Sequence, residues 1–355
     1  MLAINIQDVI NVLASVKTHL IVLGVALVVA LAVIIACKAL PVAKRKLARS
    51  SALVALALAV IIVVNTICFG PMFTMINLAM GGGSITEESM AEAYEVNTEL
   101  VSEGVTLLEN HGALPLASGS NVNVFGWAST APVYGGVGSG ALNDQYAVTD
   151  LITGLKNAGL NVNQDLVDFY EAYQAERPSV GMWAQDWTLP EPNVSAYTDE
   201  LMASAKEFSD TALVVISRPG GENADMPTDM AAVVDGTWKE RDALTGNSYF
   251  NGVYDDTLNE GNDWDEGDHY LQLSNREEEM LQMVCDNFDK VIVLINTNNA
   301  MELGFLEEYG VDAAVYTPCP GQNGFDAVGL VLAGEVNPSG RTVDTFLYDL
   351  FNTPI

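Results

Sequence analysis

Three glycine-rich segments, each placed directly after an apolar run, are the parts of the sequence best suited to chemistry. They read YGGVGSG at residues 134–140, SRPGGENAD at residues 217–225 and PCPGQNG at residues 318–324. Glycine carries no side chain, so the backbone of such segments can approach a ligand closely. In an open α/β sheet, ligands bind beyond the carboxyl ends of the strands, which is where these segments would lie.

Glu222 stands among glycines at the predicted end of a strand. A carboxylic acid in such surroundings can have a raised pKa and can donate a proton to a leaving group. The alternative interpretation is a solvated glutamate in a flexible loop. Position in the sequence alone does not decide between these two.

Neither a nucleotide nor a metal is expected. The glycines of the first segment do not match the dinucleotide-binding pattern, because the third glycine comes one residue early and no helix opens directly after it. His19, His111 and His269 are far apart in the sequence, and the acidic run at residues 262–268 lacks the ligand spacing of a calcium loop. We therefore expect no cofactor.

The three segments need a sheet to position them, and predicted strands alternate with predicted helices from residue 87 onward. Apolar runs typical of buried strands occupy residues 122–127, 212–217, 290–296 and 313–317. Helical patterns occupy residues 87–110, 146–158, 275–287, 301–309 and 324–333. This order predicts an α/β fold with a doubly wound, mostly parallel sheet, that is, an α/β sandwich.

Two long stretches interrupt the alternation, at residues 178–200 and 227–268. Connections of this length without secondary structure are uncommon in compact domains and are functional or disordered where they occur. Trp183, Trp187 and Tyr249 lie within them. Their rings could form the walls of a binding site, or they could pack in a core.

The N-terminal part of the chain predicts a transmembrane helical hairpin. Residues 20–37 and 50–85 contain no charged side chain and reach the length of a bilayer span. The basic connector PVAKRKLARS at residues 41–50 is expected in the cytoplasm, which places both outer ends outside. A cleaved signal peptide fits less well, because a second apolar run follows the first. We expect two transmembrane helices in residues 1–80, a linker in residues 81–94 and an extracellular domain in residues 95–355.

The predicted outer domain is strongly acidic. The first 86 residues hold six of the 15 Lys and Arg and one of the 46 Asp and Glu, so the remainder carries a net charge of −36. This charge opposes binding to nucleic acid and to anionic lipid. It favours a neutral or cationic ligand.

A series of segments, in order, resembles the smaller α/β domain of glycoside hydrolase family 3. Before the second segment come SEGVTLLEN at residues 102–110, LPL at 114–116 and the glycines at 135–140. VVISRPGGENAD at residues 214–225 and LSNREEEML at 273–281 are similar to the strand, loop and helix around the family's acid/base glutamate. Further matches follow in VIVLINTNNAMEL at 291–303, PCPGQNG at 318–324 and VNPSGR at 336–341. Together the segments cover most of residues 95–350.

The resemblance implies that Glu222 is the general acid/base of a retaining β-glucosidase-like glycosidase. The segment departs from the family's "SGEGxDR" at Asn223 and at Met226, so a carboxylate in residues 227–268, such as Glu240 or Glu260, is the alternative. The substrate would be a β-linked oligosaccharide or glucoside. Expected sugar contacts come from Gly136, Gly138, Arg218, Asp225 and Trp187.

The family's nucleophile is an aspartate on a separate (β/α)₈ barrel, which this sequence lacks. Its Asp-Trp pairs, at residues 186–187 and 263–264, lie in polar stretches, and a barrel needs about 250 residues of alternating strands and helices. We therefore expect a fragment of an enzyme with permuted domain order and a missing barrel partner. The competing hypothesis is a non-catalytic, membrane-anchored carbohydrate-binding domain, and the sequence after Ile355 would discriminate between the two.

Overall fold

The chain divides into two compact units, Met1–Thr86 and Glu87–Ile355. A computed structural model describes residues 6–80, 85–136, 142, 146–173, 176–181, 184–221, 224–238, 252–259 and 261–352. Residues 81–84 of the predicted linker, residues 81–94, lie outside the described residues. The limits of the predicted domains stay a prediction.

The N-terminal unit consists of helix α1 (Ile6–Ala36), helix α2 (Val42–Cys68) and the short helix α3 (Phe73–Met80). Helices α1 and α2 pack against each other, and most of their apolar side chains are exposed. The segments Leu13–Ala39 and Val42–Cys68 have mean hydropathies of 3.3 and 2.6, so both are long and apolar enough to cross a bilayer. A signal sequence or a core helix of a soluble protein meets the same criterion.

The basic residues between the apolar runs form the first turns of α2, whereas the sequence predicted a loop. The connection between α1 and α2 shrinks to one 3-10 turn, Cys37–Ala39, followed by Leu40 and Pro41. Pro41 is the N-cap of α2, where its missing N–H removes no hydrogen bond from the helix. Lys44 to Arg49 therefore sit at one end of the helical pair.

A six-stranded sheet forms the centre of the second unit. Its spatial order is β1-β8-β7-β6-β2-β3. All neighbouring strands are parallel except β1, which pairs antiparallel with β8 at the edge. The prediction of a mostly parallel α/β sheet is confirmed. The strands are β1 (Thr106–Asn110), β2 (Asn121–Phe125), β3 (Asn161–Val162), β6 (Thr211–Arg218), β7 (Lys290–Thr297) and β8 (Ala313–Thr317), while β4 (Val180–Gly181) and β5 (Ala184–Gln185) form a separate two-stranded ribbon.

Helices cover both faces of the sheet, because side chains alternate between the faces along each strand. On β6, Ala212, Val214 and Ile216 enter one apolar core, and Leu213 and Val215 enter the other. Helices α6, α7, α9 and α10 pack on the first core, and α4, α5 and α11 on the second. Their bounds are α4 (Glu87–Gly104), α5 (Leu151–Asn157), α6 (Gln164–Tyr173), α7 (Asp199–Phe208), α8 (Met230–Val234), α9 (Asn275–Asn287), α10 (Gly304–Tyr309) and α11 (Gly324–Leu332).

The predicted helix at residues 87–110 is wrong over its last part. Helix α4 ends at Gly104, and residues 106–110 form the edge strand β1 instead. The backbone of β1 finds its hydrogen-bonding partners on β8, in the register Thr106 to Tyr316 and Leu107 to Val315. Pairing with a distant strand thus overrides the local helical spacing of the apolar residues.

The two long stretches of the sequence are packed together in their described parts. Apolar side chains from both stretches join Tyr270 in a third core. The backbone of Trp187 donates to the carbonyl oxygen of Val253 (2.9 Å), and that of Val253 donates to the carbonyl oxygen of Gln185 (2.8 Å). These hydrogen bonds and this core hold the described parts of the two stretches in place.

Candidate functional site

The glycine-rich segments meet at the carboxyl edge of the sheet, where Asn296, near the end of β7, joins the residue before the first segment to the third segment. The backbone N–H of Val133 donates to Asn296 Oδ1 (2.7 Å). Asn296 Nδ2 in turn donates to the carbonyl oxygens of Val133 (3.0 Å) and Pro318 (3.1 Å). Because Asn296 is fully buried, its amide fixes the chain after β2 against the chain after β8.

The third segment is fixed from the opposite side by helix α4. Asn97 Nδ2 donates to the carbonyl oxygen of Pro320 (3.0 Å) and to Asn323 Oδ1 (2.8 Å). Gly321 has a φ of +74°, and its N–H donates to the carbonyl oxygen of Tyr134 in the first segment (2.7 Å). A side chain at Gly321 would be strained in this conformation and would press on Asn97, 3.1 Å from the added Cβ.

The second segment leaves β6 and passes close to the end of β7. Asn298 Nδ2 reaches the carbonyl oxygen of Gly220 (3.5 Å), and a Cβ added at Gly220 would lie 2.5 Å from Asn299 Nδ2. The N–H of Ala224 donates to the carbonyl oxygen of Gly221 (3.1 Å). The chain is thus described on both sides of Glu222, while Glu222 itself, together with Gly138, Glu240 and Glu260, lies outside the described residues.

A cavity of about 420 Å³ opens between the first two segments. Gly135 and Gly136 of the first segment line it, as does Pro219 of the second. Arg177 and Val180, from the long stretch after α6, line it as well. The predicted contact residue Gly136 is therefore on a concave surface next to the segment that carries Glu222, and its contact with a sugar stays a prediction.

Arg218 was expected to contact a sugar, and its surroundings correct this. Its side chain is fully buried and forms a two-pronged ion pair with Glu277, at 2.8 and 2.6 Å. Its other N–H groups donate to the carbonyl oxygens of Ser217 (3.0 Å), Tyr270 (2.7 Å) and Gln272 (2.5 Å). Since these bonds use all five N–H groups of a guanidinium, none is left for a ligand.

Trp187 was expected as an aromatic contact, and this too is corrected. The ring is fully buried in the third core and meets Tyr270 edge to face, with centroids 4.8 Å apart. A buried ring offers no face for stacking on a sugar, so Trp187 serves packing. Asp225 is exposed beside Ala224, and its sugar contact stays a prediction.

Arg177 is a cation of the cavity that the sequence analysis missed. Its Nε–H donates to the carbonyl oxygen of Ala131 (2.6 Å), and its Nη2 donates to Ser217 Oγ (2.5 Å). The guanidinium carbon lies 4.7 Å from the centroid of the Trp127 ring, which is the geometry of a cation–π contact. The scarcity of cations could have drawn attention to Arg177, because residues 87–355 contain only nine Lys and Arg residues.

A buried hydrogen-bond network supports Trp127 beneath Arg177. The backbone N–H of Trp127 donates to Glu191 Oε2, and Tyr197 OH donates to Glu191 Oε1, both at 2.7 Å. Tyr197 OH lies 2.7 Å from Tyr170 OH, which accepts the N–H of Gly126 (2.7 Å). Burial raises the pKa of Glu191 to about 8, although both hydrogen bonds act in the opposite direction. The network fixes the turn that follows β2.

Among the residues that the structure describes, no group of three or more His, Cys, Asp or Glu side chains could hold a metal ion. Cys319 donates to Asn298 Oδ1 at the carboxyl edge, and burial raises the pKa of its thiol to about 11. This thiol is therefore poorly suited to act as a nucleophile near neutral pH.

Comparison with known proteins identifies the domain. Residues 105–354 match the glycosyl hydrolase family 3 C-terminal domain. Beta-glucosidase of Ruminococcus albus is 32% identical over 270 residues, which is 75% of this chain and 24% of that protein. Beta-glucosidase A of Butyrivibrio fibrisolvens is 30% identical over 283 residues, 78% of this chain and 31% of that protein.

Solved structures agree with the sequence comparison. The chain is similar to β-glucosidase 3B from Thermotoga neapolitana in complex with α-D-glucose, with a TM-score of 0.54 and 27% identity over 76% of this chain and 32% of the other. It is also similar to a β-glucosidase from Paenibacillus barengoltzii, with a TM-score of 0.56 and 28% identity over 74% of this chain and 25% of the other. The chain thus spans about a quarter to a third of the length of these relatives. It belongs to glycoside hydrolase family 3 and carries the C-terminal α/β domain of that family.

Proposed function

We propose that this chain takes part in the retaining hydrolysis of the O-glycosyl bond of a β-glucoside. Its α/β domain would supply the loops that surround the sugar and the general acid/base, Glu222. The observation that carries the proposal is the meeting of three glycine-rich segments at one edge of the sheet, in a chain whose relatives are β-glucosidases.

The reaction requires two carboxyl groups about 5 to 5.5 Å apart, on opposite sides of the bond that breaks. Glu222 would protonate the leaving oxygen and then activate a water molecule. An aspartate would attack the anomeric carbon and form the covalent intermediate. The described strands form an open six-stranded sheet and a short ribbon. We propose that a (β/α)₈ barrel partner supplies the aspartate.

An assay with a chromogenic aryl β-glucoside tests this function. We expect little or no turnover by the chain alone and turnover when a family 3 barrel domain that carries the nucleophile is added. Glu222→Gln should abolish the turnover, and azide should restore it, because azide replaces the water that the base would activate. Full activity of Glu222→Gln would move the role to another carboxylate, with Glu240 and Glu260 as the next variants. Turnover by the chain alone would refute the need for a partner, and no turnover in any combination would refute the function.

We further propose that α1 and α2 anchor the chain in a cell membrane, with the α/β unit on the extracellular side. The cluster of basic residues from Lys44 to Arg49 supports this orientation, because short basic segments next to spans stay in the cytoplasm. Protease added to intact cells should then digest the α/β unit of a C-terminally tagged chain. Protection that is lost only when the cells are permeabilised would contradict the proposed orientation.

A further inference from the structure

Arg177 is held rigidly at the wall of the cavity between the first and second glycine-rich segments. Its hydrogen bonds to Ala131 and Ser217 and its contact with the ring of Trp127 fix the guanidinium from three sides. A guanidinium fixed in advance loses little conformational freedom when it binds a ligand. Arg177 is therefore preorganised to bind a ligand, unlike a flexible arginine on the surface.

The described surroundings leave the charge of Arg177 without a carboxylate partner. The two hydrogen bonds use two of its five N–H groups, and the other three belong to Nη1 and Nη2. Within the described ranges, the ion pairs of arginine side chains involve Arg218 and Arg276 and not Arg177. Burial lowers the pKa of Arg177 to about 10, and the nearby charge of Arg218 acts in the same direction, whereas Tyr270 and the more distant carboxylate of Glu277 act in the opposite direction. A ligand with hydrogen-bond acceptors would offset the cost of partly burying this cation.

The cavity suits a small polar ligand. Its volume of about 420 Å³ falls within the range of ordinary small-molecule sites, about 300 to 1,000 Å³. Gly135 and Gly136 leave the cavity wall free of side chains on one side. The net charge of −36 on residues 87–355 disfavours an anionic ligand, so neutral oxygen atoms are the acceptors that fit best.

We propose that Arg177 is a sugar-binding residue, whose remaining N–H groups donate to two neighbouring hydroxyl oxygens of a neutral saccharide in this cavity. The planar fork of a guanidinium presents two parallel N–H groups, and adjacent hydroxyls of a sugar ring offer a matching pair of acceptors. This inference rests on the function proposed above, because that function defines the ligand as a β-glucoside. It assigns part of the recognition to this domain rather than to its catalytic partner.

Titration of the full chain, in detergent, with methyl β-D-glucoside tests the inference. All five tryptophans lie between residues 127 and 264, and Trp127 touches Arg177, so tryptophan fluorescence can report binding. We expect Arg177→Met to weaken the affinity about tenfold to a hundredfold, as for the loss of hydrogen bonds from a charged group. Arg177→Lys should also weaken it, because a lysine keeps the charge and loses the fork. The matched control is Arg341→Met, which removes an exposed arginine and should leave the affinity unchanged.

A purely structural role for Arg177 predicts a different pattern. In that case both Arg177 variants would bind the glucoside as tightly as the wild type and would only melt at a lower temperature, and the inference would be overturned. Absence of binding by the wild-type chain would overturn it too, and tighter binding of methyl β-D-glucuronide than of the glucoside would overturn the choice of a neutral ligand. If Arg177→Met does not fold, Arg177→Lys decides.

The experiments distinguish a failure of this inference from a failure of the proposed function. A chain that binds the glucoside through Arg177 but never hydrolyses it with any barrel partner keeps this inference and refutes the proposed function. A chain that hydrolyses the glucoside with an unchanged KM in Arg177→Met keeps the function and refutes the inference.

Discussion

Arg218 and Arg177 lie next to each other at the carboxyl end of β6, yet their surroundings differ. Arg177 donates to the side chain of Ser217, the residue that precedes Arg218. Arg218 is enclosed and matched by Glu277, whereas Arg177 lines a cavity and has only neutral groups as its described hydrogen-bond partners. An arginine at this edge is therefore structural when a carboxylate and carbonyl groups use all its donors, as at buried Arg218, and it is available for a ligand when they do not, as at half-buried Arg177.

The partner of Arg218 is itself held by the start of a helix. Ser274 is the N-cap of α9, and its Oγ accepts the N–H of Glu277 (3.3 Å). Glu277 Oε2 accepts the N–H of Ser274 (3.0 Å) and also the Nη2 of Arg218 (2.6 Å). The carboxylate therefore completes a capping box and an ion pair together, so that α9 is tied to the end of β6.

Arg218→Met should produce the largest loss of stability. The variant leaves the carboxylate of Glu277 buried without its cation, and breaking a buried ion pair in this way costs about 3 to 5 kcal/mol. Denaturant unfolding of the full chain followed by tryptophan fluorescence measures the free energy of unfolding of the α/β unit, because all five tryptophans lie in that unit.

The control for this prediction replaces both partners. In Arg218→Met combined with Glu277→Leu, no charge remains buried, so most of the lost stability should return. Equal losses in the single and double variants would show that the hydrogen bonds of Arg218 to carbonyl groups, and not its ion pair, hold the second segment in place.

The sequence predicts the regular centre of the fold better than its edge. Continuous apolar runs identify β6, β7 and β8, and the helical spacing of apolar residues at 275–287 identifies α9. Strand β1 is missed because its apolar residues continue the helical spacing of α4, and only the pairing with β8 separates them. The local pattern of apolar residues therefore cannot distinguish a continuation of α4 from the edge strand β1.

The site depends on contacts between distant residues, which a single sequence does not contain. Glu277 follows Arg218 by 59 positions, and Glu191 reaches Trp127 across 64 positions. Glycine content identified three segments that share an edge of the sheet. It could not tell that Arg218 is fully paired, or that Arg177 replaces it at the cavity wall.

Glu191 affects how Arg177 is held, because it supports the ring of Trp127 that Arg177 contacts. Its pKa rises from 4.5 to about 8 on folding, so the folded chain binds more protons than the unfolded chain between these values. The resulting stability is fully present below pH 4.5 and is lost as the pH rises towards 8. We expect Glu191→Gln to remove this dependence, so that the variant gains up to about 5 kcal/mol relative to the wild type as the pH rises over this range.

The measurement is the free energy of unfolding of both proteins at several pH values between 4 and 9. Exposed Glu335→Gln is the matched control, since it makes the same chemical change at a position open to solvent. Parallel curves for the wild type and Glu191→Gln would contradict the prediction and would mean that the hydrogen bonds to Glu191 offset its burial.

Arg177→Met should have the smallest effect on stability, and this prediction directly tests the difference between Arg177 and Arg218. The variant loses two hydrogen bonds to neutral groups, which together contribute about 1 to 3 kcal/mol, but it also removes a half-buried charge that has no described carboxylate partner. We therefore expect a net loss of about 1 kcal/mol or less, well below that of Arg218→Met under the same denaturant conditions. A loss as large as that of Arg218→Met would mean that the charge of Arg177 is also compensated within the protein. The two arginines would then be equivalent, and the cavity would have no arginine whose N–H groups are available to a sugar.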